Sequence, residues 1–280
     1  MQKEKEILRE YLQGIKNRQY LINENDDVIM YSRLMIKYIG DVDPKLRDDL
    51  IFEAFYYWIK EYEFFSQDAL EDLIFMLIDE NHLFNNIGFK ESDSVFTRSF
   101  SMLVLSIILS YQKEKHLFDQ QLLVTVKNAL IKYCKLERDF RGYVNEKGWA
   151  HSAAHVADAF NELAQCNESN EEMHKEILEA IEKVIFNNTY KLCFKEDDRL
   201  ARVVYSIYNK EFIERTVIME WLSDLVKKCD FSNNQEAYIS SLNFRNFNRS
   251  FYFNLLHLNS DSEILNAVSK IDANLNSINH

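Results

Sequence analysis

The chain has 280 residues and a formal net charge of −12, with 47% hydrophobic and 14% aromatic residues. An acidic mean field repels phosphate backbones, so nucleic acid and anionic membranes are not expected partners, and the apolar content excludes a disordered chain. One proline and five glycines are too few for sheets and long loops, which predicts helix almost throughout.

Ile7, Leu8, Tyr11, Leu12 and Ile15 recur at helical spacing and mark a first helix. A second is predicted from about Asp27 to Ile39. Asp43 followed by Pro44 is an N-cap with proline at the first helical position, opening an aromatic-rich helix to about Phe65. Ser66 is expected to cap the next, which ends near Asn81, and a loop follows at 85–88. A buried helix is predicted from Ser94 to Tyr111. Its apolar run, Phe100 to Leu109, is broken by Ser101 and Ser106 and is far shorter than the ~20 residues needed to span a bilayer.

A helix from Asp119 to about Lys135 comes next. Beyond the loop 141–148, a helix carrying two histidines is predicted from Trp149 to Cys166. Ser169, with Glu172 three residues on, reads as a capping box for the following helix. The Asp197 region opens another. Later helices are expected at 212–228, from Gln235 to Leu258 and from Ser262 to Leu275.

Short turns make successive helices antiparallel, and stacked hairpins give a solenoid with a concave face. The fold class expected is therefore all-α, an irregular HEAT-like α-solenoid of about a dozen antiparallel helices. No strict repeat period and no Gly/Pro/Ser-rich linker is present, so one domain over residues 1–280 is expected. Cys134, Cys166, Cys193 and Cys229 lie tens of residues apart without a Cys-x-x-Cys, which leaves a zinc knuckle or disulfide framework unsupported. The charged N-terminus runs straight into an amphipathic pattern and does not read as a signal peptide. A cytoplasmic protein is expected.

The segment 141–158 carries the densest chemistry. On a helix, His151, His155 and Asp158 stand at i, i+4 and i+7, within an arc of roughly 60°. Glu162 falls in the same stripe. A bland reading is available, because solvent faces are polar. Against it, no Lys or Arg occurs between Ala150 and Cys166, and small residues flank the stripe. As a metal site, His151, His155 and Asp158 supply three ligands for a divalent ion such as zinc, manganese or iron. The spacing is not His-Glu-x-x-His, since Ser152 holds the glutamate position.

Other candidates lie elsewhere in the sequence. In Glu196-Asp197-Asp198-Arg199-Leu200 the acids suit a helix N-terminus, and Arg199 is either their salt-bridge partner or an anion clamp. Arg249 sits among Phe247, Phe251, Tyr252 and Phe253, where a desolvated guanidinium needs a partner. Arg98 opens the most apolar helix, while Asp139 and Arg141 bracket the approach to Trp149.

Four stretches together resemble a bacterial family known as domain of unknown function 2785. They are Arg98-Ser99-Phe100-Ser101, then Arg141-Gly142-Tyr143 with Gly148-Trp149-Ala150-His151 through His155 and Asp158, then Glu196 through Ala201, and finally Asn243 through Tyr252. The Gly-Trp-Ala-His…Ala-His…Ala-Asp stretch is the specific one. Asp198 stands where glutamate is the more frequent residue, which keeps the charge. The resemblance implies an all-helical fold and that these polar residues belong together. It implies no activity.

Two readings follow. In one, Arg98, Asp139, Arg141, Trp149, His151, His155, Asp158, Asp197, Asp198, Arg199 and Arg249 converge on the concave face as a pocket for a small anionic molecule, with hydrolysis open if a metal binds. In the other, the chain is a scaffold for a protein or peptide and the polar cluster fixes helix packing. Exposed aromatics on that face would favour the scaffold. Nothing in the sequence sets the oligomeric state. No P-loop, nucleophile elbow or Gly-rich dinucleotide loop is present.

Overall fold

The computed structural model describes residues 2–232, 234–257 and 262–277. Among them are twelve helices and one short ribbon, so the chain is all-helical as expected. The helices are α1 (Gln2–Asn17), α2 (Val28–Lys37), α3 (44–61), α4 (Gln67–Leu77), α5 (Ser94–Lys115), α6 (Gln120–Leu136), α7 (Ser152–Gln165), α8 (Glu171–Ile185), α9 (Glu196–Lys210), α10 (Arg215–Lys227), α11 (Gln235–His257) and α12 (Ser262–Ser277). Leu258, the expected end of α11, lies outside the described residues.

Local chemistry explains most starts. The side chains of Asp27, Asp43, Ser66 and Asp119 each accept a backbone N–H in the first turn of the helix that follows. The capping box at Ser169 is a correction. Asn170 is the cap and accepts the Met173 N–H, while the Ser169 hydroxyl donates to the Leu163 carbonyl at 2.6 Å. Ser169 thus closes the end of α7, adding a second donor to a carbonyl that also accepts the Cys166 N–H at 3.1 Å. Within α3, wider π-type turns run over Arg47–Phe52 and Tyr57–Glu61.

The packing alternates along the chain. α5 lies against α3 and α7, α9 lies against α7 and α11, α6 packs on α8, and α10 on α12. One hydrophobic cluster runs through this arrangement from Leu8 to Leu275. Helix α5 is long and apolar enough to cross a membrane, and most of it is buried within the fold.

Helix α7 is held between α5 and α9. Ala153, Ala154, Ala157 and Ala159 are all buried and let both neighbours approach closely. The histidine helix therefore has no broad solvent face, and the bland reading of its polar stripe does not hold.

Candidate functional site

An antiparallel ribbon delivers the first histidine. Strand β1 (Tyr143–Val144) pairs with β2 (Gly148–Trp149), with Tyr143 opposite Trp149. Trp149 is thus extended, and α7 starts three residues later than the sequence pattern suggested. The reason is long-range for a local pattern: the Gly142 carbonyl accepts the N–H groups of Ala150 and His151, holding both outside the helix. Gly148 takes φ +78°, which glycine adopts without strain.

Gly142 is a close approach. A Cβ there would fall 2.2 Å from a Phe194 ring carbon and 2.9 Å from Glu196 Oε1. Gly142→Ala is expected to destabilise the fold by about 1–3 kcal/mol and to displace Phe194. Denaturant unfolding with tryptophan emission as the probe checks this, since Phe194 packs edge-on to Trp149 at 5.3 Å. An unchanged midpoint and unchanged emission would refute the close approach.

His151 itself is left-handed at φ 49°, ψ 33°, uncommon for a residue with a side chain. Its ring lies beneath the Trp149 indole, 4.3 Å between centroids and 14° from parallel. Nδ1 is 3.2 Å from Glu196 Oε1, and the other Glu196 oxygen accepts the Phe194 N–H at 2.6 Å. Lys195, just before Glu196, is also left-handed. Two strained residues therefore flank the His151–Glu196 contact.

His155 is buried at 4% exposure, its ring 5.9 Å from that of His151. Nδ1 is 2.7 Å from Ser99 Oγ and 3.2 Å from the Ser99 carbonyl. The Ser99 hydroxyl donates to the Ala150 carbonyl. A carbonyl only accepts, so Nδ1 carries the proton and Nε2 is left with its lone pair. Nε2 has no hydrogen-bond partner among the described residues. Burial pushes the His155 imidazole well below the ordinary range, and the charges of Arg199, His151 and Arg47 push it the same way.

Asp158 follows one turn on and forms an ion pair with Arg199 of α9. Burial raises its carboxyl above the usual range despite the nearby guanidinium. Arg199 commits only Nη1 to this contact, and its other N–H groups have no partner among the described residues.

The remaining candidates separate into three roles. Arg98 and Arg141 are braces. Arg98 gives Nε and Nη2 to Glu137 at 2.6 and 2.9 Å and Nη1 to the Asn85 carbonyl. Arg141 forks onto Asp139 at 2.8 and 2.6 Å, and the Asp139 carbonyl accepts from Ser152 Oγ. These contacts fix the entrance to α7. Asp197 accepts a hydrogen bond from Ser250 of α11, and Asp198 pairs with Arg202 at the surface.

Arg249 corrects an expectation. It is exposed and pairs with Asp272 of α12 at 2.8 Å rather than with the histidines. The metal trio is likewise not gathered. Among the described residues no group of three or more His, Cys, Asp or Glu side chains is placed to hold a metal ion. Asp158 goes to Arg199, and the His155 Nδ1 proton goes to Ser99.

Arg47, Ser99, Glu137, Phe194 and Glu196 complete the site without having been singled out as site residues from sequence. Arg47 is fully buried, with its guanidinium over Phe96 at 4.3 Å and Phe100 at 4.6 Å. It donates to the Lys147 carbonyl at 2.8 Å, tying the ribbon to α3.

Fold and site together define an all-helical protein with a buried, braced histidine pair beneath a surface indole. The chain belongs to the family described as Protein of unknown function (DUF2785), whose model matches residues 83–253, well over half of the chain. That span holds every residue of the site except Arg47. No curated protein and no solved structure matches the chain.

Proposed function

We propose that this protein binds a small anionic ligand at the cluster of His151, His155 and Arg199. The observation that carries this is Arg199 itself. Of the arginines in the candidate set it alone lies next to the histidine pair with most of its N–H groups uncommitted. A carboxylate or phosphate arriving there meets a guanidinium and two imidazoles, and it offsets the positive charges that, after burial, hold His155 neutral. His155 then takes up a proton at Nε2, so binding strengthens as pH falls. The ligand replaces, or shares Arg199 with, Asp158.

The same reading takes the chain as a single domain over 1–280, a HEAT-like array in which odd-numbered helices from α3 to α11 stack in series. Four free thiols suit a reducing cytoplasm. A metal-dependent hydrolase would need Asp158 to exchange Arg199 for an ion, and metal analysis of the purified protein tests that alternative.

A second reading rests on its own observation. Tyr143, Trp149 and Phe194 are between 38% and 49% exposed, and Trp149 touches both of the others beside His151. Such a platform suits a peptide side chain, as expected of a helical scaffold. Thermal-shift titration at pH 7 with phosphate, acetate and citrate separates the two. The anion reading expects saturable stabilisation, about 2.7 kcal/mol at a hundred times Kd, weakened in both Arg199→Ala and His155→Asn. Wild-type protein indifferent to all three anions would overturn it.

A further inference from the structure

A second polar concavity lies away from the histidines, at the C-terminal ends of α6 and α8. It encloses about 340 Å³, within the range of small-molecule sites. Lys135, Arg138 and Lys183 surround it, Phe140 and Phe186 supply apolar surface, and Asn188 lies at its edge. Lys90 reaches the same rim through Thr189 Oγ1 at 3.3 Å.

Helix C-termini attract cations without any ligand, and Lys135 and Lys183 both occupy last turns. Two helix ends amount to about one negative charge, however, and four cations stand here. The local carboxylates do not absorb the excess. Glu137 is spent on Arg98, and Glu182 lies 2.7 Å from Lys228 but 3.7 Å from Lys183. The Lys135 and Arg138 side chains have no carboxylate partner among the described residues, Arg138 Nη1 donating to the Glu137 carbonyl at 2.6 Å, while Glu236, bonded to Asn188 at 2.8 Å, adds a negative charge at the edge. A cationic concavity with aromatic walls in a chain of net charge −12 is therefore a feature to explain.

We propose that this cleft binds the phosphate group of a small phosphomonoester, with the apolar part of the ester against Phe140 and Phe186. The cations meet the dianion, and the Asn188 amide adjoins them. The cleft shares only Glu137, which is held by Arg98, with the residues that brace the histidine cluster, and it contains none of His151, His155 and Arg199.

Calorimetric titration at low salt with phenyl phosphate, inorganic phosphate and phenol tests the proposal. Phenyl phosphate is expected to bind the wild-type protein, about tenfold more tightly than inorganic phosphate, and phenol not to bind. A Lys135→Ala/Arg138→Ala variant is expected to weaken phenyl phosphate at least about tenfold, and Lys183→Glu likewise; all three side chains are exposed, and urea midpoints of the variants confirm that they are folded. Arg199→Ala is expected to leave the affinity within about twofold. The proposal is overturned if phenyl phosphate does not bind, if the cleft variants bind it as well as wild type, or if Arg199→Ala alone abolishes binding. Equal affinity for phenyl phosphate and inorganic phosphate would overturn the role given to the two phenylalanines.

Discussion

Arg98→Met is expected to cost about 3–5 kcal/mol of folding free energy, among the largest effects of any single substitution in this chain. Arg98 and Glu137 are both fully buried and meet through two parallel hydrogen bonds. Removing the guanidinium leaves the Glu137 carboxylate inside the fold with only the Arg138 and Asp139 N–H groups at 2.9 Å. It also strips the Asn85 carbonyl of its donor. Glu137→Met should be comparably severe, because it strands the cation instead. Replacing both residues with methionine removes both charges, and most of the loss should return. Urea unfolding of the three variants measures this. A cost below about 1 kcal/mol for Arg98→Met would mean that the pair is not desolvated as described.

The second large effect is on the pH dependence of stability. His155 is pushed below the ordinary imidazole value near 6.5, first by burial and then by Arg199, His151 and Arg47. The unfolded chain therefore takes up a proton at this residue before the folded chain does. Above pH 6.5 both states are neutral there and the residue contributes nothing to the slope. Below it, stability falls by up to about 1.4 kcal/mol per pH unit until folded His155 itself protonates. His174, also depressed by burial, with its Nδ1 unpartnered, adds a slope of the same sign. The raised carboxyls of Asp48, Asp158 and Asp197 oppose it, since they hold protons more readily when folded. Comparison with His155→Asn isolates the residue, because an asparagine amide reproduces the Nδ1 donor toward Ser99 without titrating. The stability difference between wild type and variant should be flat above pH 7 and should shift steadily in the variant's favour below 6.5. A difference independent of pH from 7 to 5 would contradict the neutral, buried imidazole.

The parts of this structure legible in the sequence are those set by neighbours a few residues away. Asp43 and Ser66 cap their helices as read, because an N-cap is decided within one turn. Ser169 failed because Ser169 and Asn170 can both cap, and the Leu163 carbonyl decides between them. Trp149 was read as helical from its neighbours' pattern. Its pairing with Tyr143 across a turn overrides that pattern.

The site follows the same logic. The spacing of His151 and His155 brings their rings together even though His151 precedes the helix. Arg199 was legible as a candidate anion clamp, but its pairing with Asp158 was not, since it depends on how α9 lies on α7. Arg249 misled because its sequence neighbours Phe247 and Phe251 face the core while it faces outward to Asp272. Arg47 was invisible, because a lone arginine in an amphipathic helix looks like surface until Phe96 and Phe100 close over it.

Imidazole NMR of the full chain during a phosphate titration at pH 7 tests anion binding at the histidine pair most directly, with ring signals assigned by His→Asn substitution. The rings of His151 and His155 are expected to shift saturably, Lys135→Ala/Arg138→Ala should leave that shift in place, and Arg199→Ala should abolish it. Rings that stay fixed while phosphate stabilises the protein would place the anion elsewhere and contradict the site.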